Sequence, residues 1–224
     1  MDLSRKAVIV TGSSSGIGEA VARRLAGLGA GIVVNSARSA EAGERVAADL
    51  GDAVYVQGDV GDPATAAALV DAARQRWGRL DGVVNNAGVT VPVPMTDLAG
   101  VTVDHWDTVL RTNVVGTFLV SQAALPMLRE ADDGWITNVT SLAGVRQTGS
   151  SLPYAVSKAA LNHLTTIMAK HAGDGVRVNA VAAMAPLRRV ATAEDIAEAV
   201  LGLVATTYAT GQVLVVDGGL GLTM

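Results

Sequence analysis

Several residue types are missing or scarce in this sequence of 224 residues. It contains no cysteine, which excludes disulfide bonds, thiolate catalysis and cysteine-bound metal sites. Aromatic residues make up only 3% of the chain, so Ala, Val, Leu and Gly must fill the core, which suits close packing of helices on a sheet. The three histidines, His105, His163 and His171, lack the mutual spacing of metal ligands, and we expect no metal site.

Long apolar runs and clusters of positive charge are also lacking. No apolar segment approaches the roughly 20 residues that span a bilayer, and residues 1–6 lack the apolar core of a signal peptide. The net charge is −4 and the basic residues are scattered, so neither nucleic acid nor a membrane is an expected partner. Hydrophobic residues make up 50% of the chain, enough for a sizeable core. We therefore expect one cytoplasmic domain over residues 1–224.

Strand-like and helix-like segments alternate along the whole chain. The pattern predicts strands at residues 6–10, 31–35, 53–57, 81–85, 135–139, 176–180 and 212–216, and helices near residues 17–28, 39–50, 63–77, 105–125, 153–171 and 193–204. The strands are apolar on both faces, as in a parallel sheet that helices cover on both sides. The sequence therefore predicts an α/β protein with a doubly wound (Rossmann), mostly parallel seven-stranded sheet and helices on both faces.

A glycine-rich segment, Thr11-Gly12-Ser13-Ser14-Ser15-Gly16-Ile17-Gly18, connects the first predicted strand to the first predicted helix. A strand, a glycine-rich turn and a helix in this order can bind phosphate, because glycine lets the backbone approach a pyrophosphate and the helix N-terminus offers free N–H groups. The spacing is Gly-x-x-x-Gly-x-Gly and not the usual Gly-x-Gly-x-x-Gly, so this segment alone also fits a plain Gly/Ser turn.

Polar residues follow the other predicted strands as well. They are Asn35 to Arg38 after the second strand, Asp59 and Val60 after the third, Asn85-Asn86-Ala87-Gly88 after the fourth and Ser141 after the fifth. Because the carboxyl ends of parallel strands meet at one edge of the sheet, we expect a ligand-binding cleft along that edge.

Together these motifs resemble those of the short-chain dehydrogenase/reductase family, over nearly the whole chain. The resemblance rests on the glycine-rich segment, Asp59, Asn85-Asn86-Ala87-Gly88, Asn113, Ser141, Tyr154-x-x-x-Lys158 and the closing residues 211–219. It implies an oxidoreductase that interconverts a small-molecule ketone and a secondary alcohol with a nicotinamide cofactor. The catalytic residues that it implies are Asn113, Ser141, Tyr154 and Lys158. The cofactor contacts that it implies are Gly12, Ser14, Ser15, Gly16, Ile17, Gly18, Asp59, Val60, Asn86, Ala87, Gly88, Tyr154 and Lys158. It also implies a homotetramer or homodimer, formed through the two long helices and the last helix and strand.

The chemistry of Tyr154 and Lys158 follows from their spacing. At i and i+4 they share one helix face, and the flanking residues of Lys158 are mostly apolar. The Lys158 ammonium favours the phenolate of Tyr154 and so lowers the pKa of the Tyr154 phenol. Tyr154 can therefore serve as general acid in reduction or as general base in oxidation. Ser141 can hydrogen-bond the substrate oxygen. Asn113 resembles the family residue that holds a proton-relay water.

The end of the second predicted strand indicates which cofactor is used. An acidic residue there would bind the ribose 2′-hydroxyl of NAD, whereas an arginine accommodates the 2′-phosphate of NADP. Here the strand ends in Asn35-Ser36-Ala37-Arg38, with no acidic residue before Glu41. We expect NADP(H), with Ser36 and Arg38 at the phosphate, and NAD(H) remains an alternative.

After the sixth predicted strand the sequence departs from the family pattern. The family has Pro-Gly and a long lid there, whereas residues 181–189 lead almost directly to the next helix. Since lids exclude water and complete the site, we expect a more open site, unless the protein carries a segment that this sequence omits.

Two other functions remain open at this point. The shortened lid fits a non-catalytic NAD(P)-binding protein. The segment Gly12-Ser13-Ser14-Ser15-Gly16 also matches the Gly-x-Ser-x-Gly pattern of serine hydrolases, with Ser14 as nucleophile. The hydrolase hypothesis leaves Tyr154, Lys158 and Asn85-Asn86-Ala87-Gly88 without a role, and the later histidines fall in predicted helices.

Overall fold

Strands and helices alternate in the computed structural model, which describes residues 2–173, 175–183 and 191–222. The strands are β1 (Ala7–Val10), β2 (Gly31–Ser36), β3 (Ala53–Gln57), β4 (Gly82–Asn85), β5 (Gly134–Ser141), β6 (Val176–Ala183) and β7 (Val213–Val216). The α-helices are α1 (Gly16–Gly27), α2 (Ala40–Leu50), α3 (Pro63–Trp77), α4 (Val103–Leu110), α5 (Thr117–Glu130), α6 (Leu152–His171) and α7 (Ala193–Ala205). The predicted shortened lid falls mainly on residues 184–190, which lie outside the described residues.

The strands form one seven-stranded sheet in the order β3-β2-β1-β4-β5-β6-β7. All six pairs of neighbouring strands are parallel, which confirms the predicted doubly wound fold. The sequence predicts a mostly parallel sheet, and the observed sheet is fully parallel. The chain reverses its direction of winding between β1 and β4. In open α/β sheets, ligands bind outside the carboxyl ends of the strands at such a switch point.

Helices bury both faces of the sheet, as the apolar strands predict. Within β1, Val8 and Val10 belong to one core cluster and Ile9 belongs to the other. The first cluster includes Val21 of α1 and Val200 of α7, and the second includes Leu69 of α3. Side chains alternate between the faces of a strand, so each face receives its own apolar layer.

At their carboxyl ends, strand β5 extends two residues and strand β6 three residues beyond the apolar segments that predict them. Asn138 and Thr140 interrupt the apolar pattern, but both side chains find partners inside the protein. The Asn138 Oδ1 accepts a hydrogen bond from Asn85 at 2.9 Å, and the Thr140 hydroxyl donates to the Val181 carbonyl at 3.4 Å. Because these buried polar groups are satisfied, the ladder continues until Ser141 pairs with Ala183.

The long helix predicted after residue 104 is divided into three parts. Thr102 caps α4, so the preceding loop ends two residues earlier than predicted. A π-helical segment, Arg111–Gly116, then separates α4 from α5. Such wide turns are frequent at functional sites, and this one contains Asn113.

No α-helix within the described parts of the chain is long and apolar enough to cross a membrane.

Candidate active site

Two cavities lie along the carboxyl edge of the sheet. The larger cavity measures about 520 Å³ and is lined by the segment after β4, the end of β5 and the start of α6. The smaller cavity measures about 280 Å³ and is lined by the glycine-rich turn and the ends of β2 and β3. Both cavities include Gly88 and Val89, so they meet beside the switch point.

The glycine-rich turn is packed tightly against the segment that follows β4. The Asn86 side-chain amide donates to the carbonyls of Thr11 and Gly12, at 3.0 Å each. The Thr11 hydroxyl accepts from the backbone N–H groups of Asn86 and Ala87, also at 3.0 Å. A Cβ atom on Gly18 would lie 2.3 Å from the Gly12 carbonyl oxygen, so only glycine fits there.

Helix α1 begins at the turn with its first N–H groups available. Its N-cap, Ser15, makes no side-chain capping hydrogen bond. Gly16 has a φ of +58°, and a Cβ atom there would meet nothing within 4 Å. Ser14 and Ser15 line the smaller cavity, whereas Ile17 lines the larger one. The turn therefore offers free N–H groups, the positive end of a helix dipole and open space, which suit a diphosphate.

Ser36 and Arg38 both line the smaller cavity, but they differ in what they can offer a ligand. The Ser36 hydroxyl donates to the Ser39 carbonyl at 3.1 Å and lies 2.8 Å from the Tyr55 hydroxyl. Its single proton is thus already used, and Tyr55 must be the donor in the second bond. The exposed Arg38 guanidinium pairs with no acidic side chain in the described residues, and it remains free for an anion.

Asp59 and Val60 lie at the far end of the smaller cavity, after β3. The Asp59 Oδ1 accepts a hydrogen bond from the Gly61 backbone at 2.9 Å, which fixes the turn. Val60 is buried and gives this end an apolar wall. An apolar wall next to a carboxylate suits a flat base with exocyclic N–H groups.

Asn113 lies at the centre of the π-helical segment and is fully buried. Its Oδ1 accepts from the Val89 N–H at 2.8 Å, and its Nδ2 donates to the Val89 carbonyl at 3.0 Å and to the Ser157 hydroxyl at 2.9 Å. Ser157 in turn donates to the Tyr154 carbonyl at 2.7 Å. Asn113 therefore joins the segment after β4 to α6.

Tyr154 and Lys158 lie on the face of α6 that lines the larger cavity. Ser151 caps the helix by accepting from the Tyr154 N–H at 3.4 Å, which sets where the first turn begins. The Lys158 Nζ lies 5.7 Å from the centre of the Tyr154 ring and donates to the Val139 carbonyl at 3.1 Å. Burial lowers the pKa of Lys158 to about 8, because an ammonium loses hydration there.

Ser141 ends β5 beside them and is 8% exposed. Its Oγ accepts from the Ala143 N–H at 3.2 Å, while its own proton has no acceptor among the residues that the structure describes. The Tyr154 hydroxyl likewise makes no hydrogen bond there. Two uncommitted O–H donors thus lie on one cavity, next to a buried ammonium.

The histidines lie elsewhere. His105 is in the N-terminal turn of α4, where it takes part in the cap, and His163 and His171 are exposed on α6. None of them lines the cavity that contains Ser14. The Ser-His pair of a hydrolase is therefore not assembled. Among the described residues, no group of three or more His, Cys, Asp or Glu could hold a metal ion.

Sequence analysis placed Asn35 at the edge of the cleft without giving it a role, and it did not identify Tyr55 or Ser157 as parts of the site. The Asn35 side chain accepts from the Gly12 N–H at 3.3 Å and donates to the carbonyls of Val56 and Gly58 at 3.1 Å each. The Asn35 side chain therefore holds the glycine-rich turn against the ends of β2 and β3. Its position at the end of an apolar strand was the one available signal.

These features fit a dinucleotide. The uncapped helix start, the open space at Gly16 and the two adjoining cavities provide a diphosphate position between two pockets. The smaller pocket offers a cation and an apolar wall, and the larger one offers proton donors.

The chain is similar to known proteins over nearly its whole length. The family model described as short chain dehydrogenase matches residues 6–193. A protein named ketoacyl reductase 2 of the granaticin polyketide synthase, from Streptomyces violaceoruber, is 49% identical over 234 residues, covering 94% of each chain. The 3-oxoacyl-[acyl-carrier-protein] reductase of Synechocystis is 33% identical over 244 residues, covering 97% of this chain and 98% of the relative.

A solved structure is similar throughout. The crystal structure of a short-chain dehydrogenase/reductase from Burkholderia xenovorans has a TM-score of 0.93 and 34% identity, and it covers 97% of this chain and 98% of its own. Both alignments with the named reductases run over more positions than the 224 residues of this chain. Those relatives therefore contain residues that have no counterpart here.

Proposed function

Because this chain belongs to the short-chain dehydrogenase family, we propose that it interconverts a ketone and a secondary alcohol with NADP(H), using Tyr154 as general acid and base. The observation that carries the proposal is the placement of Tyr154, Lys158 and Ser141 on one cavity, beside a second cavity that contains Arg38. Family membership supports an oxidoreductase with a nicotinamide cofactor, and the residue roles are our proposal.

We propose the following positions for the cofactor. The N–H groups at Gly16, Ile17 and Gly18 bind the diphosphate, together with Ser14 and Ser15.

The two ends of the cofactor contact other residues. Asp59 and Val60 hold the adenine, and Arg38 binds the 2′-phosphate. The segment Asn86-Ala87-Gly88 supports the middle of the molecule, and Tyr154 and Lys158 meet its nicotinamide half. The bound cofactor supplies or accepts the hydride.

The protein's own part in ketone reduction is the proton. The Ser141 hydroxyl donates a hydrogen bond to the substrate oxygen and stabilises the charge that develops there. The Tyr154 phenol delivers its proton to the same oxygen, which completes the secondary alcohol, and the reverse transfer serves oxidation. The Lys158 ammonium stabilises the phenolate that remains. Asn113 keeps the segment after β4 and the start of α6 in register and belongs to the proton path.

The names of the relatives suggest the substrate. Both named reductases carry ketoacyl or 3-oxoacyl in their names. We propose that the ketone here is likewise part of an acyl or polyketide skeleton.

We also propose a homo-oligomer, a tetramer or dimer, of single-domain cytoplasmic subunits. Several large apolar side chains are exposed on the π-helical segment and the long helix α5 that follows it, on the long helix α6 and on the last strand. They are Val115 and Phe118, Val156 and Ile167, and Leu214 and Val215. A second copy of this chain would bury such surfaces. Light scattering on the purified protein measures the oligomeric state directly.

Oxidation of NADPH over a panel of ketones tests the catalytic proposal. We expect Tyr154→Phe to lower kcat by at least about 100-fold, since general acid catalysis contributes about 10²–10⁴-fold, and to weaken NADPH binding far less than that. Tyr208→Phe is the matched control, because Tyr208 is fully exposed and lies outside both cavities. Full activity of Tyr154→Phe would disprove the proposed role, and NADPH binding without turnover by the wild type would favour a non-catalytic protein.

A further inference from the structure

One part of the lining of the larger cavity is rich in hydroxyl groups. Thr90 contributes from the segment after β4, and Thr148 and Ser150 contribute from the loop before α6. We call these three residues the loop hydroxyls. Two of the apolar side chains in the same lining, Val89 and Ala143, are small.

The hydrogen bonds of the loop hydroxyls leave them able to bind a ligand. The side chain of Thr148 makes no hydrogen bond with any described residue, so its O–H can donate and accept. The Thr90 hydroxyl donates to the Val91 carbonyl at 3.5 Å and also shares a hydrogen bond with the Ser150 hydroxyl, and each of the two oxygens keeps a lone pair that can accept another. The pair also links the two loops that form this wall.

The charge of the described lining favours neutral groups on a ligand. Among the described lining residues, Lys158 is the only charged side chain, and its ammonium is bonded to the Val139 carbonyl beside Tyr154. A carboxylate bound at the loop hydroxyls would therefore have no cation within the described lining. Hydroxyl and carbonyl oxygens need only the hydrogen bonds that these residues offer.

On the basis of the proposed function, we propose that the substrate is a neutral ketone whose skeleton carries further hydroxyl or carbonyl oxygens on the side facing the loop hydroxyls. A plain alkyl ketone would leave these donors and acceptors facing apolar carbon, while it gains little contact with the small apolar side chains. Sites that hydrogen-bond a substrate hydroxyl discriminate against the analogue that lacks it, because their polar groups then lose their partners.

The test uses pairs of ketones that differ only by exchange of a methyl for a hydroxyl group, such as 4-methylcyclohexanone and 4-hydroxycyclohexanone, and larger bicyclic pairs of the same kind. The measurement is kcat/KM with saturating NADPH. We expect the hydroxylated member to be preferred by about tenfold in pairs that fill the cavity. Thr148→Val should remove most of this preference, and Thr148→Ser should retain it. Thr166→Val is the control, since Thr166 is exposed on α6 outside the cavity.

The outcomes distinguish failure of the inference about the substrate from failure of the proposed function. Equal turnover within every pair, preference for the methyl member, or an unchanged ratio in Thr148→Val would overturn the inference and leave the proposed function standing. Failure of all ketones in the panel to oxidise NADPH would disprove the proposed function, and the inference with it.

Discussion

The ammonium of Lys158 lies 5.7 Å from the centre of the Tyr154 ring, one helical turn further along α6. Its hydrogen bond to the Val139 carbonyl, 3.1 Å long, anchors it to the end of the sheet. The lysine side chain is thus held between the helix and the sheet with only 5% of the residue exposed. A buried ammonium loses its hydration, and this loss lowers the free energy of unfolding. Because a neutral lysine does not have this cost, the cost can be measured as a dependence of stability on pH.

We expect the stability of the cofactor-free protein to depend on pH through Lys158. Burial lowers its pKa from 10.5 to about 8, so between these values the unfolded chain binds more protons and stability rises with pH. Below this window the lysine is charged in both states, and the full penalty, roughly 3 kcal/mol, is present. Above the window the penalty is gone.

Chemical denaturation of the wild type and Lys158→Met at pH 7 to 10.5 measures this effect. The variant should be more stable by an amount that shrinks by about 3 kcal/mol as the pH rises through the window. The difference between the two proteins cancels the titration of other groups. A difference that stays constant with pH would show that Lys158 keeps an ordinary pKa.

Arg38 should decide the preference for NADPH. Its guanidinium lines the smaller cavity without an acidic partner in the described chain, so it can bind a 2′-phosphate. We expect Arg38→Ala to lower kcat/KM for NADPH by about tenfold, since one charge-assisted hydrogen bond contributes about 1.5–3 kcal/mol when sheltered and less when exposed. The value for NADH should stay the same.

Ser36→Ala provides the comparison for Arg38. The Ser36 hydroxyl is already bonded to Ser39 and Tyr55, so this variant should change the NADPH/NADH ratio less than Arg38→Ala does. A wild-type preference for NADH that Arg38→Ala leaves unchanged would contradict the assignment.

Arg146 should affect the substrate more than the cofactor. Its Nε and Nη2 both donate to the Gly221 carbonyl, at 3.3 and 3.2 Å, which ties the loop before α6 to the C-terminal turn. We expect Arg146→Ala to raise KM for the ketone by about fivefold, because two hydrogen bonds of about 1 kcal/mol each no longer hold that cavity wall. KM for NADPH should be unaffected.

Arg129→Ala is a matched control for Arg146→Ala. Arg129 also donates to a backbone carbonyl, that of Ala172, at 2.8 Å, but it lies outside both cavities. If both variants lose similar thermal stability and neither changes KM for the ketone, Arg146 has only a structural role.

Asp81 should matter for stability and not for the chemistry. Its buried carboxylate accepts from the Ala7 N–H at 2.9 Å, from Lys6 at 3.1 Å and from Arg79 at 2.6 and 2.8 Å, at the amino end of the sheet. Burial alone would raise the pKa of Asp81, but the hydrogen bonds from Arg79, Ala7 and Lys6 outweigh it and lower the pKa. The stability that this carboxylate contributes is therefore present above its unfolded pKa and is lost as the pH falls through the lowered value.

We expect Asp81→Asn to cost about 2–3 kcal/mol in urea denaturation, since it removes the charge from a buried group with charged partners. Asp71→Asn should cost under about 0.5 kcal/mol, because its partner Arg74 and Asp71 itself are both exposed. Activity per folded molecule should be the same in both variants. Equal losses in the two variants would show that burial of the Asp81 network adds nothing.

The order of elements was predictable because local patterns determine it. Short apolar runs of β-branched residues such as Val8-Ile9-Val10 favour strands that are buried on both faces. The glycines of the first turn allow backbone conformations that other residues rarely adopt. The rim residues Asp59 and Ser141 were predictable for the same reason, since parallel strands place their carboxyl ends together. The bounds of β5 and the wide turn around Asn113 could not be predicted from the sequence, because they depend on partners that are distant in the sequence.

The sequence by itself determined that this is a parallel α/β protein, where its glycine-rich turn lies, and that Tyr154 and Lys158 share a helix face, because these follow from periodicity and from the freedom of glycine. The tertiary structure alone decided which hydroxyl groups are still free. Ser36 is committed to Ser39 and Tyr55, whereas Ser141 and Thr148 keep their protons for a ligand. The reason is that a hydroxyl has one proton, and which acceptor takes it depends on neighbours that only folding brings within 3 Å or so.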